Sequence, residues 1–382
     1  MKNKYLIINC LRTISGGGIV HCLELLKYLN TYKKNDLKIK IYCHSLLREK
    51  ISERYDSTNI NIISNKYFDN TFVSLIVELF YFGFLYGLRK DTYLLNTDAS
   101  SLYLFRNQTR MYNDLLAFEK IGYKTAYTEG IYSILRLISI FFIQKLGLLI
   151  SDKAVFLSYF SRNCIIKGIP QFFLPKIKVI PHTTHKLISK KFFKKANNKL
   201  SNKKIIKLLY ISPFYEYKRQ YEVVKAFYSL LERGLNLELT LGGGEKNTNY
   251  AKKLIKNIKN NNHFQKLKVF GPLTHSKVLS LMQESDIFIF NSACETFGIT
   301  LLEAVSCYCH VICSKSSALP EVSKNLNNIY LVDGSNIDYI AEKIHWIITN
   351  NPPLKSININ SFPSWEKLED ELISFVLGSK FN

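Results

Sequence analysis

The chain has 382 residues, of which 47% are hydrophobic, and its formal net charge is +22. This length is enough for two domains, and the apolar content excludes wholesale disorder. The excess positive charge leaves three kinds of partner open: an anionic membrane surface, a nucleic acid, or a lipid-diphosphate acceptor.

The cysteines do not form a recognisable metal or disulfide pattern. Eight are scattered along the chain without a Cys-x-x-Cys pair, and the spacing of Cys307, Cys309 and Cys313 is wrong for zinc. We therefore expect buried, reduced thiols. The apolar run that begins at Tyr5 is too short for a signal peptide, which predicts a cytoplasmic protein.

The first half begins with a predicted strand, a glycine loop and a helix. The strand is Tyr5–Cys10, the loop contains Gly16, Gly17 and Gly18, and apolar residues then recur at helical spacing. This order is the first unit of a doubly wound domain. Further strands are predicted at Ile39–Cys43, Lys124–Thr128, Lys153–Leu157 and Ile177–Ile180.

Two segments of the first half are unusually apolar, Phe72–Leu88 and Ile131–Ile150. The first is short against the ~20 residues that span a bilayer, and the second carries Arg136 and Lys145. Three interpretations stay open: transmembrane helices, buried domain helices, or helices that dock on a membrane surface. The aromatic residues of the first segment and nearby lysines favour some interfacial contact.

A lysine-rich stretch, Lys186–Lys207, lies between the two halves. It is either a solvated linker or a basic patch for anionic lipid headgroups, where each lysine near the surface contributes about 1 kcal/mol. No recognised DNA- or RNA-binding module is visible in the sequence, so a nucleic-acid partner is not expected.

Strands alternate regularly with helices in the second half, which predicts a parallel sheet covered on both faces. The predicted strands are Ile205–Ile211, Leu237–Leu241, Leu267–Phe270 and Asp286–Phe290. The predicted helices are Tyr221–Arg233, Tyr250–Lys259 and Ser276–Gln283, with a last amphipathic helix that begins near Ser364. The expected fold class is α/β.

The most informative segment follows the strand Asp286–Phe290. A polar loop there contains Glu295, and a helix begins just after Gly298. The first turn of that helix would present free backbone N–H groups, which suits a phosphate. Glu303 lies about one turn into the helix, roughly 6–8 Å along its axis. One carboxylate can therefore reach a sugar and the other a ribose hydroxyl, with a diphosphate between them.

The stretch 291–304 resembles the E-x7-E motif of retaining GT-B glycosyltransferases, group 1 (family 4), which reads P-S-x-x-E-x-F-G-x-x-x-L-E-A. Asn291 stands in place of the proline, and Ala318–Val322 is similar to the family's G-G-x-P-E loop. The resemblance implies a GT-B architecture, two Rossmann-like doubly wound domains facing a cleft. The implied domains are an acceptor-binding domain at 1–185, a basic linker at 186–204, a nucleotide-sugar-binding domain at 200–361, and a C-terminal helix in 364–382 that crosses back onto the first domain.

The resemblance also assigns a donor-binding set. Lys218 matches the lysine of the family's diphosphate clamp, whereas the clamp arginine falls on Pro213, and whether Arg219 replaces it stays open. The loop Cys307–Val311 also lacks the glycine and proline of the family's C-G-x-P-V. The implied donor-binding residues are Gly17, Gly18, Lys218, Gly243, Phe270, Phe297, Gly298, Ile299 and Glu303.

The implied catalytic residues are Glu295, which would orient the sugar, and Glu129. The catalytic histidine or aspartate of many relatives has no clear counterpart in the sequence, and His182 and His185 are alternatives to Glu129. Loops near Arg106 and Glu119 are expected on the acceptor side. Neither a metal nor a cofactor is expected, because no D-x-D-type carboxylate pair stands in a plausible loop.

The predicted reaction moves a hexose from a UDP- or GDP-linked sugar to an acceptor hydroxyl with retention. A lipid-linked saccharide at the inner face of a bacterial cell membrane is the expected acceptor, in surface polysaccharide or lipopolysaccharide synthesis, with the protein peripheral at that membrane. Two alternatives stay open. One is a nucleotide-sugar epimerase on the same scaffold, and the other is a non-catalytic, membrane-associated binding module.

Overall fold

A computed structural model describes residues 4–13, 16–32, 37–54, 60–87, 89–101, 105–184, 200, 203–244, 247–355 and 362–378. The chain divides into two compact units. Unit 1 comprises Met1–Phe118, Ile138–His182 and Pro363–Asn382, and unit 2 comprises Glu119–Leu137 and Thr183–Phe362. Residues 119–137, which the sequence places in the first domain, thus belong to unit 2. His185 and most of the lysine-rich stretch lie outside the described residues.

Unit 1 is built on a seven-stranded sheet in the order β3-β2-β1-β4-β5-β6-β7. Every neighbouring pair is parallel, as crossover connections through helices require. The central strands carry apolar residues that are buried on both faces. The strands are β1 Lys4–Cys10, β2 Leu37–Cys43, β3 Asn61–Ile63, β4 Thr92–Asn96, β5 Gln108–Tyr112, β6 Lys153–Phe156 and β7 Lys176–Val179.

The helices of the first part of the chain connect these strands, and a π-helical turn at Val77–Phe82 joins two of them. The Ser158 hydroxyl caps the helix that follows β6, as part of a capping box with Ser161. The helices are α1 Gly16–Thr31, α2 Ser45–Arg54, α3 Thr71–Ile76, α4 Gly83–Tyr86, α5 Lys120–Glu129, α6 Ile131–Leu149 and α7 Tyr159–Ile166.

Two predicted elements of this region are wrong. Gly16, Gly17 and Gly18 form the first turn of α1 rather than a loop. Residues 124–128 lie in helix α5, not in a strand. The β-branched and aromatic residues of that segment suggested a strand, but Gly122, Thr125 and Ala126 fall on one buried helical face.

The two apolar segments form helices whose surfaces are only partly buried. Phe82 and Tyr86 pack into the core of unit 1, whereas Phe84 is 90% exposed. Helix α6 is long and apolar enough to cross a membrane, and 22% of its apolar window is buried. Length and composition alone do not separate a membrane span from a core helix.

The C-terminal segment of the described chain forms helix α8, Trp365–Leu377, and packs in unit 1 against α1. A buried ion pair joins His21 to Glu369 at 3.3 Å. Burial is the largest single effect and lowers the pKa of His21, but the negative charge of Glu369, together with the contacts to Cys22 and the hydrogen bond to Glu369, outweighs it and raises the pKa to about 10. His182 lies beside this pair, with its ring centroid 5.0 Å from His21 and 5.6 Å from Trp365.

Unit 2 is built on a six-stranded sheet in the order β10-β9-β8-β11-β12-β13. Its neighbouring strands are also parallel. The strands are β8 Ile206–Ile211, β9 Leu237–Gly242, β10 Leu267–Val269, β11 Ile287–Phe290, β12 His310–Ser314 and β13 Ile329–Val332.

Six further helices cover this sheet. Side-chain oxygens of Thr248, Thr274 and Asn336 cap three of them. They are α9 Gln220–Glu232, α10 Asn249–Lys259, α11 His275–Glu284, α12 Ile299–Ser306 and α13 Leu319–Ser323, followed by α14 Ile337–Asn350 after β13. The predicted α/β class, with two Rossmann-like parallel-sheet domains, is confirmed.

Candidate functional site

The best candidate site in unit 2 lies where the strand order of its sheet reverses, between β8 and β11. In open parallel sheets, ligands bind outside the carboxyl ends of the strands at such a switch point. The segment that follows β8 carries Lys218, and the segment that follows β11 carries Glu295. The topology therefore brings together two predicted site residues that are 77 positions apart in sequence.

Lys218 and Glu295 form an ion pair. Only 9% of the Lys218 side chain and 15% of the Glu295 side chain is exposed. Burial lowers the pKa of Lys218, but the negative charge of Glu295, together with the nearby Tyr210 and the hydrogen bond to Glu295, more than reverses this, so the net pKa is raised. The lysine also lies 4.8 Å from the centroid of the Tyr217 ring. The cation is therefore held in place before any ligand arrives.

The backbone of Glu295 is fixed by a neighbouring loop. The Ser317 hydroxyl accepts a hydrogen bond from the Glu295 N–H at 3.1 Å and donates to its carbonyl at 2.8 Å. Ser317 has a φ of 57° and belongs to the segment just before helix α13. The residue just before the loop that resembles the family's G-G-x-P-E thus supports the backbone of the first glutamate.

Helix α12 begins next to this pair. Gly298 precedes it with a φ of 93°, and a β-carbon there would lie 3.0 Å from both Phe290 and Leu319. Glycine is therefore needed for backbone conformation and for space. The Leu301 N–H bonds the Gly298 carbonyl, and the N–H groups that open a helix have no intrahelical acceptors. Phe297, Gly298 and Ile299 lie at this helix start, as predicted.

Glu303 lies inside α12 and is paired with His275, which sequence reasoning missed. His275 Nε2 is 2.7 Å from Glu303 Oε1, and only 8% of the glutamate side chain is exposed. His275 is the first residue of α11, at the start of the helix that follows β10. No motif marked this histidine, because the contact depends on how two helices pack against one sheet.

The structure gives Arg219 a place distinct from that of Lys218. Its backbone is left-handed, with a φ of 53°, and its Nη1 lies 3.4 Å from Ser316 Oγ. A β-carbon on Gly334 would be 2.8 Å from the same Nη1. The guanidinium therefore extends toward the carboxyl ends of β12 and β13.

Two more predicted donor residues lie at the neighbouring strand ends. Gly243 follows β9 with a φ of 98°, and its N–H bonds the Gly271 carbonyl at 3.0 Å. The Phe270 N–H bonds the Leu241 carbonyl at 2.9 Å, and the Phe270 side chain is 37% exposed. Gly17 and Gly18 belong to unit 1 and not to unit 2.

Glu129 is placed as a helix cap. Its two carboxylate oxygens accept hydrogen bonds at 3.2 Å from the backbone N–H groups of Asn249 and Tyr250, at the start of α10. A carboxylate stabilises the positive end of a helix. Its assignment as a catalytic residue stays a prediction, as does that of His182, which is 7% exposed. Burial, and secondarily the charge on His21, hold the pKa of His182 well below its usual range.

The part of the chain that the structure describes contains no clear candidate for a metal site. No group of three or more His, Cys, Asp or Glu side chains there is arranged to hold a metal ion. The positive groups at the switch point are instead Lys218 and the start of α12.

Known structures resemble the chain over nearly its whole length. Anabaena Alr3699/HepE in complex with UDP-glucose aligns with a TM-score of 0.71 at 13% identity, covering 98% of this chain and 100% of that one. Sucrose-phosphate synthase from Thermosynechococcus elongatus aligns with a TM-score of 0.65 at 12% identity, covering 98% of each chain. The fold is GT-B. These identities are low, so the likeness shows the fold alone.

Sequence comparisons point to the same class in unit 2. Residues 190–362 match the sequence model of the family described as glycosyl transferases group 1, less than half of the chain. The phosphatidylinositol N-acetylglucosaminyltransferase GPI3 subunit of Saccharomyces cerevisiae is 29% identical over 76 residues. That match covers 20% of this chain and 17% of the yeast protein, so the chain spans about a sixth of that relative.

Proposed function

We propose that the protein is a retaining glycosyltransferase that moves a hexose from a UDP- or GDP-linked sugar to an acceptor hydroxyl. The observation that carries the proposal is the Lys218–Glu295 pair at the switch point of unit 2, beside the start of α12. This site lies within the residues that match glycosyl transferases group 1. Structural neighbours crystallised with UDP or UDP-glucose support a nucleotide-sugar donor.

The chemistry of sugar transfer places charge where this site can stabilise it. Departure of the diphosphate builds negative charge on the leaving group and positive charge on the sugar ring. Lys218 and the N–H groups at the start of α12 stabilise the leaving group. Glu295 accepts hydrogen bonds from sugar hydroxyls and orients the ring, and Glu303 accepts hydrogen bonds from the ribose.

A lipid-linked saccharide is the proposed acceptor, used at the inner face of a bacterial cell membrane in surface polysaccharide or lipopolysaccharide assembly. Helix α6 supports a membrane contact, because an apolar stripe along it is at least 38% exposed. The stripe repeats at intervals of three and four residues, which places it on one helical face. It consists of Ile131, Leu135, Ile138, Phe142, Leu146 and Leu149.

Calorimetry with UDP and GDP tests the donor site. The native chain should bind one of the two nucleotides, and Glu303→Gln should weaken that binding by about 1–3 kcal/mol through loss of a hydrogen bond to a charged group. Glu342→Gln, an exposed carboxylate on α14, is the matched control and should bind as the native chain does. A folded protein that binds neither nucleotide would refute the transferase and leave the non-catalytic module. Mass analysis of the product separates transfer from epimerisation, which needs no acceptor.

Vesicle flotation tests the membrane contact. The native chain should float with anionic vesicles, and Phe142→Ser combined with Leu146→Ser should reduce the bound fraction. Leu331→Ser is the control, because Leu331 is 39% exposed but lies on β13 of unit 2. A native chain that stays wholly soluble would contradict the membrane contact without affecting the donor site.

A further inference from the structure

A pair of cysteines lies at the junction of β1 and α1 in unit 1. Cys10 is the last residue of β1, and Cys22 lies in the second turn of α1. Their Sγ atoms are 3.6 Å apart, which is within hydrogen-bonding distance for sulfur. Both residues are buried, with 2% of Cys10 and 5% of Cys22 exposed. The fold thus brings together two thiols that are 12 positions apart in sequence.

The residue next to Cys22 is a buried cation. His21 is paired with Glu369 of α8 at 3.3 Å, and its pKa of about 10 keeps the imidazole protonated at neutral pH. The hydrogen bond with Cys10 has the largest effect on Cys22, and together with the hydrogen bond and charge of His21 it outweighs burial and lowers the pKa of the Cys22 thiol to about 5. The same contact raises the pKa of Cys10. Cys22 therefore carries the thiolate, and the Cys10 thiol donates to it.

Other buried cysteines of the chain have the opposite electrostatic setting. Cys43 is paired in register with Cys10 across β1 and β2, and burial is the main effect that raises its pKa to about 12. Burial also raises the pKa of Cys313 in β12. The thiolate is the form of cysteine that reacts with an oxidant. The neighbouring thiol and the buried cation thus distinguish Cys22 from these two inert thiols.

The surroundings of His21 are polar as well as buried. The Trp365 ring centroid lies 6.2 Å from that of His21. Among the described residues, no hydrogen-bond partner is found for His21 Nδ1 or for Trp365 Nε1. Buried polar groups of this kind are the usual positions of small polar molecules in protein interiors. Hydrogen peroxide is such a molecule, since it both donates and accepts hydrogen bonds.

We propose that Cys10 and Cys22 are a modification site, at which hydrogen peroxide converts the two thiols into a reversible disulfide. The Cys22 sulfur attacks one peroxide oxygen, the O–O bond breaks and hydroxide leaves, so that Cys22 becomes a sulfenic acid. The Cys10 sulfur then attacks the Cys22 sulfur. The S–S bond forms, the S–O bond breaks, and the hydroxyl group leaves with the Cys10 proton as water. The two sulfurs together lose two electrons, and the peroxide gains them.

The geometry requires only a short movement for this bond. The two sulfurs have to approach from 3.6 Å to about 2.05 Å, which a change of side-chain rotamer can supply. The disulfide would close the chain from Cys10 to Cys22 into a covalent loop that contains the three glycines at the start of α1. Intracellular disulfides are usually transient and redox-sensing, which agrees with a pair that is reduced at rest. The inference does not depend on the proposed transferase function.

Peptide mapping of the native chain after treatment with hydrogen peroxide tests the proposal. Trypsin cleaves at Arg12, between the two cysteines, so Cys10 and Cys22 fall in different peptides, 5–12 and 13–27. Oxidised protein should yield these two peptides joined by a disulfide, two hydrogens lighter than their sum. Dithiothreitol should restore the separate peptides.

Three results of the same experiment would overturn the proposal. One is native protein that yields no joined peptides. Another is the peptide of Cys10 joined to peptide 41–48, which contains Cys43. The third is oxidation that is confined to Cys164, the partly exposed cysteine of α7.

Variants separate the two steps. In Cys10→Ser, the Cys22 sulfenic acid has no thiol to react with and should be trapped by dimedone, whereas Cys22→Ser should give no adduct at Cys10. Cys164→Ser is the control and should form the disulfide as the native chain does. Circular dichroism reports whether each variant is folded. A folded Cys22→Ser variant with as much dimedone adduct at Cys10 would overturn the assignment of Cys22 as the attacking sulfur.

The pH dependence of disulfide formation tests the thiolate. Between pH 8 and pH 6 a model cysteine peptide loses roughly fifty- to a hundredfold of its thiolate, whereas disulfide formation in the native chain should slow by less than about twofold. The neighbouring groups keep their charge in this range, because His21 stays protonated, His182 stays neutral, and Cys10 and Cys43 stay thiols. Slowing as steep as that of the peptide would overturn the proposal that a Cys22 thiolate attacks the peroxide.

Discussion

Replacing His275 by alanine should weaken nucleotide binding through Glu303. The native imidazole lies 2.7 Å from Glu303 Oε1 and holds one oxygen of a carboxylate whose side chain is only 8% exposed. In the proposed function, the other oxygen is then oriented for the ribose. Without His275, Glu303 gains rotational freedom and loses a hydrogen-bonding partner at a poorly solvated position.

The expected magnitude follows from that geometry. A hydrogen bond to a charged group contributes about 1.5–3 kcal/mol. The His275 side chain is 47% exposed, so water replaces part of the contact in the variant. We therefore expect a loss somewhat below that range, about 1 kcal/mol, which corresponds to roughly a fivefold weaker affinity for UDP or GDP.

A double-mutant cycle on protein and ligand is the assay. Calorimetry compares the nucleotide with its 2′,3′-dideoxy analogue, for the native chain and for His275→Ala. The ribose hydroxyls should contribute less affinity in the variant, because their acceptor is no longer oriented. His345→Ala, an exposed histidine on α14, is the control. If His275→Ala weakens both ligands equally, or tightens either, the positioning role of His275 is wrong.

Three further predictions concern the two units. Lys218→Gln should weaken nucleotide binding about tenfold, whereas Glu295→Gln should leave binding unchanged or make it tighter, because it removes a negative charge beside the diphosphate. Calorimetry measures both affinities. If both variants lose affinity to the same extent, the assigned roles are wrong. Glu369→Gln should lower the free energy of unfolding in urea by about 3 kcal/mol at pH 7, because the charged His21 loses its buried partner. The folded-state pKa of His21 is raised to about 10, so the stability that its charge contributes is complete below about pH 6.5 and is lost as the pH rises through about 10. The difference in unfolding free energy between the native chain and Glu369→Gln should therefore shrink from pH 7 to 10. A difference that stays constant over this range would count against the prediction. Gly334→Ala should destabilise the folded protein by about 1–3 kcal/mol, because the new β-carbon overlaps the Asn291 amide. Adding Asn291→Ala should restore part of that stability, as measured by thermal unfolding.

The second half of the chain was predictable as far as α12 because its signals there are local, whereas β12, β13 and α14 were not predicted. Apolar residues, consecutive in β11 and interrupted by polar ones in β8 and β9, marked these strands to within one residue of their ends. Gly298 marked the start of α12, since a left-handed residue packed against Phe290 requires glycine. The first half was harder, because α5 has a strand-like composition and its helical form depends on which face is buried.

The candidate sites show the same division. Glu295, Glu303 and Lys218 were found because they stand in a recognisable order with glycine and phenylalanine. His275 and the Cys10–Cys22 pair were not found, because no sequence pattern marks contacts between residues 28 or 12 positions apart.

The sequence by itself determined the α/β class, most strand positions and the residues that carry the E-x7-E pattern. These depend on the period of the apolar residues and on local backbone needs, which neighbouring residues settle among themselves. Only the tertiary structure decided which strand ends meet at each switch point, that Lys218 is paired with Glu295, and that His275 holds Glu303. The physical reason is that side-chain pairing across a sheet depends on strand order, and strand order is set by the packing of the whole domain.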